Sequence, residues 1–328
     1  MEQERQSIRI GIFMIACALT LHLAGGVADL AVELFSHPAV AEFLVYMGTG
    51  RVVRLDAALP EETTEPTQMP TLEPTMPPKK QVTFMAQDAE SIHLSNFTGH
   101  DPDIEKLLIS PLNWDLTQGG PAVLILHTHA TESYTGTNGY RTEDANCNML
   151  RVGLELARVL EENGIGVIHD TTLHDKPSYN GSYNNARKTI EARLEEYPSI
   201  RLVLDVHRDA LELTDSVQLS TQAQVNGQDS AQLMLVMGTN ASGLNHPVWQ
   251  ENLAVGVKLQ ALLEREYPGI CRPMQLRMER FNQDLSTAMI VEVGAAGDTL
   301  EEALVAARAF AESVVALSQG TATADSTS

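Results

Sequence analysis

Cysteine is scarce in this chain of 328 residues, and basic side chains are outnumbered by acidic ones. Three cysteines without zinc-type spacing exclude a disulfide framework. Cys17 lies in an apolar run, which leaves only Cys147 and Cys271 as a possible pair. Lys and Arg number 22 against 43 Asp and Glu, a formal net charge of −21. Nucleic acids and anionic lipids need a basic surface, so neither is expected as the main partner of the folded part.

Two common catalytic signatures are also missing. The sequence contains neither the Walker nor the dinucleotide-binding glycine pattern. It also lacks the Gly-x-Ser-x-Gly turn that presents a nucleophilic serine in many hydrolases. Nucleotide-dependent chemistry and that kind of serine hydrolysis are therefore not indicated.

The N-terminal part of the chain carries one long uncharged stretch. Residues 10–28 are 19 consecutive positions without Asp, Glu, Lys or Arg, about the length of a helix that spans a bilayer core. Arg5 and Arg9 precede it and no basic residue follows closely, which favours a cytoplasmic N-terminus and an external body. We predict a cytoplasmic tip and transmembrane anchor over 1–30, in the cell membrane. The alternatives are a signal peptide cleaved near 26–28 and a buried core helix.

A linker separates this predicted anchor from the body. Residues 31–84 are predicted to be a juxtamembrane segment followed by a Pro/Thr-rich spacer. Residues 57–80 contain six prolines and no aliphatic periodicity, so they cannot bury a core and are expected to be extended. The folded domain is predicted over 85–318, and the small polar tail 319–328 is predicted to be disordered.

The body alternates short apolar runs with helical patterns. Such alternation predicts an α/β fold with a mostly parallel sheet flanked by helices, and ligands bound beyond the carboxyl ends of the strands. The predicted strands are 122–126, 166–168, 202–206, 233–237 and 289–293. The predicted helices are 148–162, 182–197, 247–267 and one that begins at a capping box formed by Asp298 and Glu301.

Metal-binding residue types cluster at the predicted strand ends. His127 and His129 follow the first strand, and in an extended chain they point the same way. Glu132 comes three residues later, His207 ends the third strand, and Glu292 lies at the carboxyl end of the last one. Two or three imidazoles and a carboxylate around an open position form the usual ligand set of catalytic zinc. Glu292 is then predicted to be the carboxylate that moves the proton of the attacking water.

Several segments match a known family in order. The matching motifs are HTHATESY, YNGSY, LDVHRDA, PGICRP, FNQDLS and IVEVG followed by DTLEEA. On these motifs the body resembles the stage II sporulation protein P family. These are sporulation cell-wall hydrolases similar to zinc-dependent N-acetylmuramoyl-L-alanine amidases. The resemblance covers about two thirds of the chain, and the predicted anchor and spacer agree with the layout of the family.

The resemblance implies a zinc-dependent peptidoglycan hydrolase that acts during engulfment. The expected bond is the amide between N-acetylmuramic acid and L-alanine, and cleavage of peptide cross-links is a second expected activity. The implied fold is that of the zinc amidases and related phosphorylase/hydrolase-like proteins. Expected partners are the peptidoglycan substrate, the membrane through the N-terminal helix, and stage II sporulation proteins D and M.

The same resemblance assigns residues to roles. His129 or His127, together with Glu132 and His207, falls on the metal-site motifs, and Glu292 falls on the catalytic carboxylate. Glu143 is a weaker rival ligand, because the ligand glutamate of the amidases lies further from the first histidine. The candidates for holding peptide carboxylates and sugar hydroxyls are Arg208, Arg272, Arg280, Asn282 and Gln283. For the FNQDLS motif, the alternative is that it only shapes the turn before the last strand.

Two other functions stay open at this level. His129-x-x-Glu132, a later histidine and a late glutamate also describe a zinc carboxypeptidase-like peptidase. A catalytically inactive scaffold that binds the cell wall is the other alternative, although every residue type that the chemistry needs is present.

Overall fold

A computed structural model describes residues 82–319 apart from 113, 118, 137, 138, 215 and 216. The predicted anchor over 1–30, nearly all of the linker and the tail beyond 319 lie outside the described residues, so those boundaries stay predictions. Among the residues described, no helix combines the length and apolar character that crossing a bilayer requires.

A seven-stranded sheet forms the centre of the folded domain, in the order β1-β10-β9-β11-β4-β2-β3. Its strands are β1 (Leu94–Asn96), β2 (Val123–Leu126), β3 (Val167–His169), β4 (Leu202–Asp209), β9 (Leu233–Gly238), β10 (Met274–Arg277) and β11 (Ala288–Ala295). Two hairpins lie outside it, β5 (Glu212–Thr214) with β6 (Val217–Gln218), and β7 (Ala223–Val225) with β8 (Gln228–Ser230).

The strand directions divide this sheet into two parallel blocks. Strands β3, β2, β4 and β11 run parallel to one another, and so do β9, β10 and β1. The blocks meet at β11 and β9, which pair antiparallel. The predicted, mostly parallel α/β sheet is therefore confirmed. The four strands of the first block end at one edge, where the polar residues singled out in the sequence lie.

Among the described residues there are five α-helices, and those that pack on the sheet lie on both of its faces. The five are α1 (Ile104–Ile109), α2 (Met149–Glu162), α3 (Ser182–Glu196), α4 (Trp249–Glu266) and α5 (Leu300–Gln319), and a short 3₁₀ helix spans Ala86–Ser91. Leu156 of α2, Leu259 of α4 and Phe310 of α5 share the main core with one side of the strands. Ile190 of α3 packs with Leu124 on the opposite face. Strand alternation sends successive side chains to these two faces.

The predicted helix starts lie close to the observed ones. α2 begins one residue after its predicted start, and Asn148 caps it, because its side chain accepts a hydrogen bond from the Leu150 amide. The capping box of α5 lies one residue later than predicted. Thr299 and Glu302 form it, with Thr299 N donating to Glu302 Oε2 at 2.8 Å and Glu302 N to Thr299 Oγ1 at 3.2 Å. Asp298 instead accepts from Thr221 and from the Ala295 amide, so it ties loops together.

The strands missed by the sequence analysis are short or weakly patterned. β1 and β10 are three and four residues long and lack a continuous apolar run. β10 alternates buried and half-buried positions in MQLR, a pattern too short to separate from a loop. Its place between β1 and β9 is decided by pairing across the chain, which no local signal carries.

Gly153 permits the close approach of α2 to the sheet edge. A Cβ atom there would lie 2.5 Å from His127 Nε2 and 2.5 Å from His169 Nε2. In an ordinary helix interior, Gly→Ala stabilises by about 0.5–1 kcal/mol. Here we expect Gly153→Ala to destabilise by about 1–3 kcal/mol, because both rings are already held by hydrogen bonds. Denaturant unfolding measures the difference.

Gly256 in α4 provides the matched control. A Cβ atom there would meet Met237 Sδ at 3.1 Å, and a methionine side chain adapts easily. Gly256→Ala should therefore cost clearly less stability than Gly153→Ala. Equal losses for the two variants would contradict the role given to Gly153.

Candidate active site

The candidate site lies where β2, β4 and β11 end, on the face of the sheet that α3 covers. In the β4–β11 pairing, His207 stands directly beside Glu292. Asp205 and His207 alternate with the core residues Leu204 and Val206, so both point to the α3 side. The apolar run of each strand thus carries a titratable side chain to a nearly dry sheet edge.

Asp205 and His207 form the centre of this site. His207 Nε2 is 2.9 Å from Asp205 Oδ1, although the contact lacks hydrogen-bond geometry. Asp205 also accepts hydrogen bonds from Thr128 N at 2.7 Å and Thr128 Oγ1 at 2.6 Å. Burial works against both charges, but each partner stabilises the other. The pKa of His207 is consequently raised and the pKa of Asp205 lowered.

His129 and Glu132 reach His207 through the turn that follows β2. The imidazole rings of His129 and His207 stand nearly perpendicular, with their centroids 5.3 Å apart. Glu132 Oε2 lies 3.7 Å from His207 Nδ1 and accepts a hydrogen bond from the Arg208 amide at 3.4 Å. Burial, together with the charge of His207, lowers the pKa of His129 to about 4. Burial raises the pKa of Glu132, and His207 and Arg208 oppose that rise.

His127 does not join this cluster, which corrects the expectation that His127 and His129 point the same way. Strand β2 ends at Leu126, so the alternation that would align the two rings has already stopped. His127 Nδ1 lies 2.9 Å from the Val206 carbonyl oxygen, which can only accept, so Nδ1 carries the proton. Nε2 then accepts from His169 Nε2 at 3.0 Å. Both ring nitrogens of His127 are therefore engaged inside the fold.

Glu292 is a half-buried carboxylate at the site. Its Oε2 atom is buried and has no hydrogen-bond partner. Burial raises the pKa of Glu292 to about 8, with Glu132 and Asp209 adding to the rise and His207 opposing it. A carboxyl group with a pKa close to neutral can both take and return a proton.

Two tyrosines that the sequence analysis left without a role complete the wall of the site. The ring of Tyr179 stacks on His129 with centroids 4.2 Å apart. Tyr183, in the first turn of α3, meets His129 edge-on at 5.6 Å and lies 6.5 Å from His207. Burial raises the pKa of Tyr183 well above its usual range, so its hydroxyl stays protonated. The YNGSY motif contained these residues, but their approach depends on how α3 packs.

The predicted substrate contacts are all engaged with protein atoms. Arg208 is buried and donates to the carbonyl oxygens of Ser133 at 3.0 Å and Tyr140 at 2.9 Å, which fastens the loop after β2. Arg272 and Arg280 pair with Asp209 and Asp284. Asn282 donates to the Tyr183 carbonyl, and Gln283 bonds to the backbone of Val236 and Gly238. The FNQDLS motif thus shapes the turn before β11, as its alternative interpretation states.

The rival ligand and the cysteines lie away from the cluster. Glu143 is exposed and pairs with Lys176 at 2.7 Å, whereas Glu132 faces His207. Cys147 and Cys271 are both free thiols, so the possible pair is not formed in this structure.

The donor types suit zinc, although the atoms are not gathered around one point. Within the described part of the chain, no group of three His, Cys, Asp or Glu side chains has the spacing of a metal site. Glu132 Oε2 and His207 Nδ1 stand 3.7 Å apart. Two ligands of a tetrahedral zinc, each at about 2.0–2.1 Å, stand about 3.3 Å apart. His129 Nδ1 is buried without a hydrogen-bond partner among the described residues, as expected where a ligand would complete the site.

The fold and this cluster define an α/β protein with a His–Glu site at the carboxyl edge of its sheet. A family model described as Stage II sporulation protein P (SpoIIP) matches residues 55–315. Because this match covers more than half of the chain, the protein belongs to the SpoIIP family, which confirms the resemblance seen in the motifs.

Stage II sporulation protein P of Bacillus subtilis (strain 168) is 28% identical over 207 residues, which cover 58% of this chain and 49% of that protein. The chain therefore matches about half the length of this relative.

Solved structures with some similarity are N-acetylmuramoyl-L-alanine amidases. AmiC2 of Nostoc punctiforme is 14% identical with a TM-score of 0.37, covering 60% of this chain and 96% of that one. The CwlD amidase from Clostridioides difficile, in complex with the GerS lipoprotein, is 14% identical with a TM-score of 0.37, covering 60% of this chain and 98% of that one. Ami1 from Mycobacterium smegmatis is 12% identical with a TM-score of 0.37, covering 62% of this chain and 95% of that one.

The two histidines should titrate at opposite ends of the pH scale in metal-free protein. Because the pKa of His207 is raised in the folded protein, its imidazolium stabilises the fold fully when the pH is below the ordinary histidine pKa of about 6.5. That contribution is lost as the pH rises through the raised value. We expect NMR of the ring nitrogens to show His207 still protonated at about pH 8 and His129 neutral at about pH 6.

Replacing Asp205 with Asn should lower the pKa of His207, because the attraction that holds its proton is removed. A native His207 that titrates near its ordinary value would contradict this account.

Proposed function

We propose that this protein is a zinc-dependent peptidoglycan hydrolase that cleaves the amide between N-acetylmuramic acid and the L-alanine of the stem peptide. The observation that carries the proposal is Glu292, a half-buried carboxylate that stands beside His207 at the sheet edge and whose buried Oε2 has no hydrogen-bond partner among the described residues. Membership of the SpoIIP family supports the peptidoglycan substrate. The His129–Glu132–His207 cluster supports metal-assisted hydrolysis.

His129, Glu132 and His207 are the residues that would hold the zinc ion. Zinc supplies a Lewis acid that polarises the scissile carbonyl and makes the attacking water more acidic. His207 can offer Nδ1 while its Nε2–H faces Asp205, the carboxylate–histidine arrangement that orients many metal ligands. Binding requires His207 to give up its extra proton, so zinc affinity should rise with pH.

Glu292 would move the proton during hydrolysis. It takes a proton from the attacking water as the water oxygen bonds to the carbonyl carbon. It then gives this proton to the amide nitrogen as the C–N bond breaks, so L-alanine leaves as an amine. A pKa of about 8 suits both halves of this transfer near neutral pH. Tyr183 remains a protonated hydroxyl in the wall of the site and can donate a hydrogen bond there.

Substitutions at the site test this assignment. His207→Ala should abolish both zinc binding and wall digestion, because a three-ligand site without one imidazole holds zinc poorly. Glu292→Gln should keep zinc and lower turnover by about 10²–10⁴-fold, the usual contribution of general acid–base catalysis. Zinc is measured by elemental analysis, and activity by the release of stem peptide from purified cell wall with and without a chelator.

Glu162→Gln is the matched control, since Glu162 is exposed and pairs with Arg158 on α2, outside the cluster. It should leave zinc content and digestion unchanged. If Glu292→Gln loses zinc, Glu292 is a ligand and the role of Glu132 is wrong. Free stem peptides that begin with L-alanine indicate the amidase, whereas opened cross-links indicate the endopeptidase. Full wall binding without zinc or digestion would leave only the inactive scaffold.

We further propose that the protein is anchored in the cell membrane with its folded domain outside. The uncharged run 10–28 and the preceding Arg5 and Arg9 support this anchor. The expected partners are stage II sporulation proteins D and M, and only membership of the family supports them. The 24 residues of 57–80, at about 3.1 Å each, could reach about 75 Å.

Membrane fractionation of the full-length chain tests the anchor. We expect the protein to stay in the pellet after washes with high salt and with alkali, because a spanning helix resists both. A soluble product whose first residue lies near Asp29 would instead identify 10–28 as part of a cleaved signal peptide.

A further inference from the structure

A polar cavity of 590 Å³ opens directly beside the candidate site. It lies between the loop after β2, which contributes Thr131 and Arg141, and the segment before α3, which contributes Asp175, Lys176 and Tyr179. Its volume falls within the range of small-ligand sites, about 300–1,000 Å³. None of the steps assigned above to the catalytic cluster uses it.

Two side chains connect this cavity to the cluster. Tyr179 stacks on the ring of His129, and Arg141 lies over the ring of Tyr179, 4.6 Å from its centroid. Arg141 Nη2 is also 3.4 Å from Glu132 Oε1. A molecule bound against Arg141 and Tyr179 would therefore adjoin the residues proposed to act on the scissile bond.

Arg141 is held in place, and its guanidinium makes no short hydrogen bond to any residue that the structure describes. Its contacts with Glu132 and Asp175 are both 3.4 Å, longer than the usual 2.7–3.2 Å for N–H···O bonds. The side chain remains 42% exposed, whereas Asp175 below it is 1% exposed and is bonded to Thr131. The guanidinium thus presents N–H groups to the cavity from a position that stacking and charge have fixed.

The other charges around the cavity restrict what can bind there. Lys176 pairs with Glu143 at 2.7 Å, but both are about half exposed, and such exposed pairs contribute little. Glu132, Glu143 and Asp175 would repel a polymer with many negative charges. A single carboxylate flanked by neutral amides avoids most of that repulsion and matches the planar fork of an arginine.

We propose that this cavity is the subsite for the stem peptide, and that Arg141 binds the free carboxylate of the second peptide residue, the one nearest the scissile bond, while Tyr179 supports the peptide chain. In the substrate, the lactyl carboxyl of the muramic acid is consumed in the scissile amide, so free carboxylates lie on the peptide side. The inference rests on the proposed function, since it names the part of the substrate that the same site recognises. It makes Arg141 a residue that determines specificity.

The test compares two soluble muramyl tetrapeptides that differ at the second residue of the peptide, which carries either a free carboxyl or a carboxamide. The native full-length protein should cleave the free acid with a kcat/KM higher by about tenfold or more, the size expected for a hydrogen bond to a charged group. Arg141→Gln should bring the ratio of the two substrates close to one and should retain zinc.

Arg277→Gln is the matched control. Arg277 ends β10, in the other block of the sheet, and pairs with Glu279. Its side chain is 39% exposed, close to the 42% of Arg141. It should leave the preference for the free acid unchanged. If Arg141→Gln slows both substrates equally, Arg141 only positions Glu132 and the inference is wrong.

Separate outcomes distinguish this inference from the proposed function. Native protein that cleaves both substrates at the same rate overturns the subsite and leaves the hydrolase intact. If nothing is cleaved, the proposed reaction fails, and calorimetry with the two tetrapeptides then decides the subsite. If nothing is cleaved and native protein binds the free acid no better than the carboxamide, the stem-peptide subsite is overturned. A binding preference for the free acid that Arg141→Gln removes supports the subsite.

Discussion

The close approach of Asp205 to His207, at a nearly dry sheet edge, determines the electrostatics of the whole candidate site. Asp205 is kept as an anion by Thr128 and by the imidazolium beside it. The positive charge of His207 in turn lowers the pKa of His129 and opposes the rise at Glu292. Removing water strengthens each of these interactions, since there is little solvent to screen them.

This charged group is supported by neutral contacts on the opposite side of β2 and β4. His127 bridges from β2 to the Val206 carbonyl and to His169, and Gly153 lets α2 lie against both rings. Arg208 fastens the loop after β2 through two carbonyl oxygens. The loop that carries His129 and Glu132 is thereby held in place by the contacts of His127 and by the hydrogen bonds of Arg208. Preorganisation of this kind reduces the reorganisation that a metal-assisted reaction would otherwise require.

The open side of the site has a different character. Tyr179 and Arg141 are partly exposed, and the polar cavity beside them is lined by charges of both signs. The chemistry proposed for the buried edge and the recognition proposed for the exposed rim would thus be carried by neighbouring residues of the same two segments. The loop after β2 contributes Glu132 to the buried edge and Arg141 to the exposed rim. The segment before α3 contributes Tyr179, which contacts residues of both.

Much of the fold could be predicted from local patterns. Continuous apolar runs are typical of strands buried on both faces, and five of the seven strands of the main sheet showed them. Helical periodicity located α2, because it depends only on neighbouring residues. The residue types of the catalytic cluster could also be recognised, since His207 and Glu292 directly follow such runs.

Tertiary structure decided what depends on distance in space. Local patterns in the chain determined five strands of the main sheet, four of the helices, and which chemically active residues end the strands. Only the fold decided that His127 turns away toward His169 while His129 turns toward His207, because that depends on where β2 stops. Only the fold brought Tyr179 and Arg141, 38 positions apart in the sequence, to one wall of the site. Those contacts depend on the packing of α3 and of the loop after β2, which no sequence period encodes.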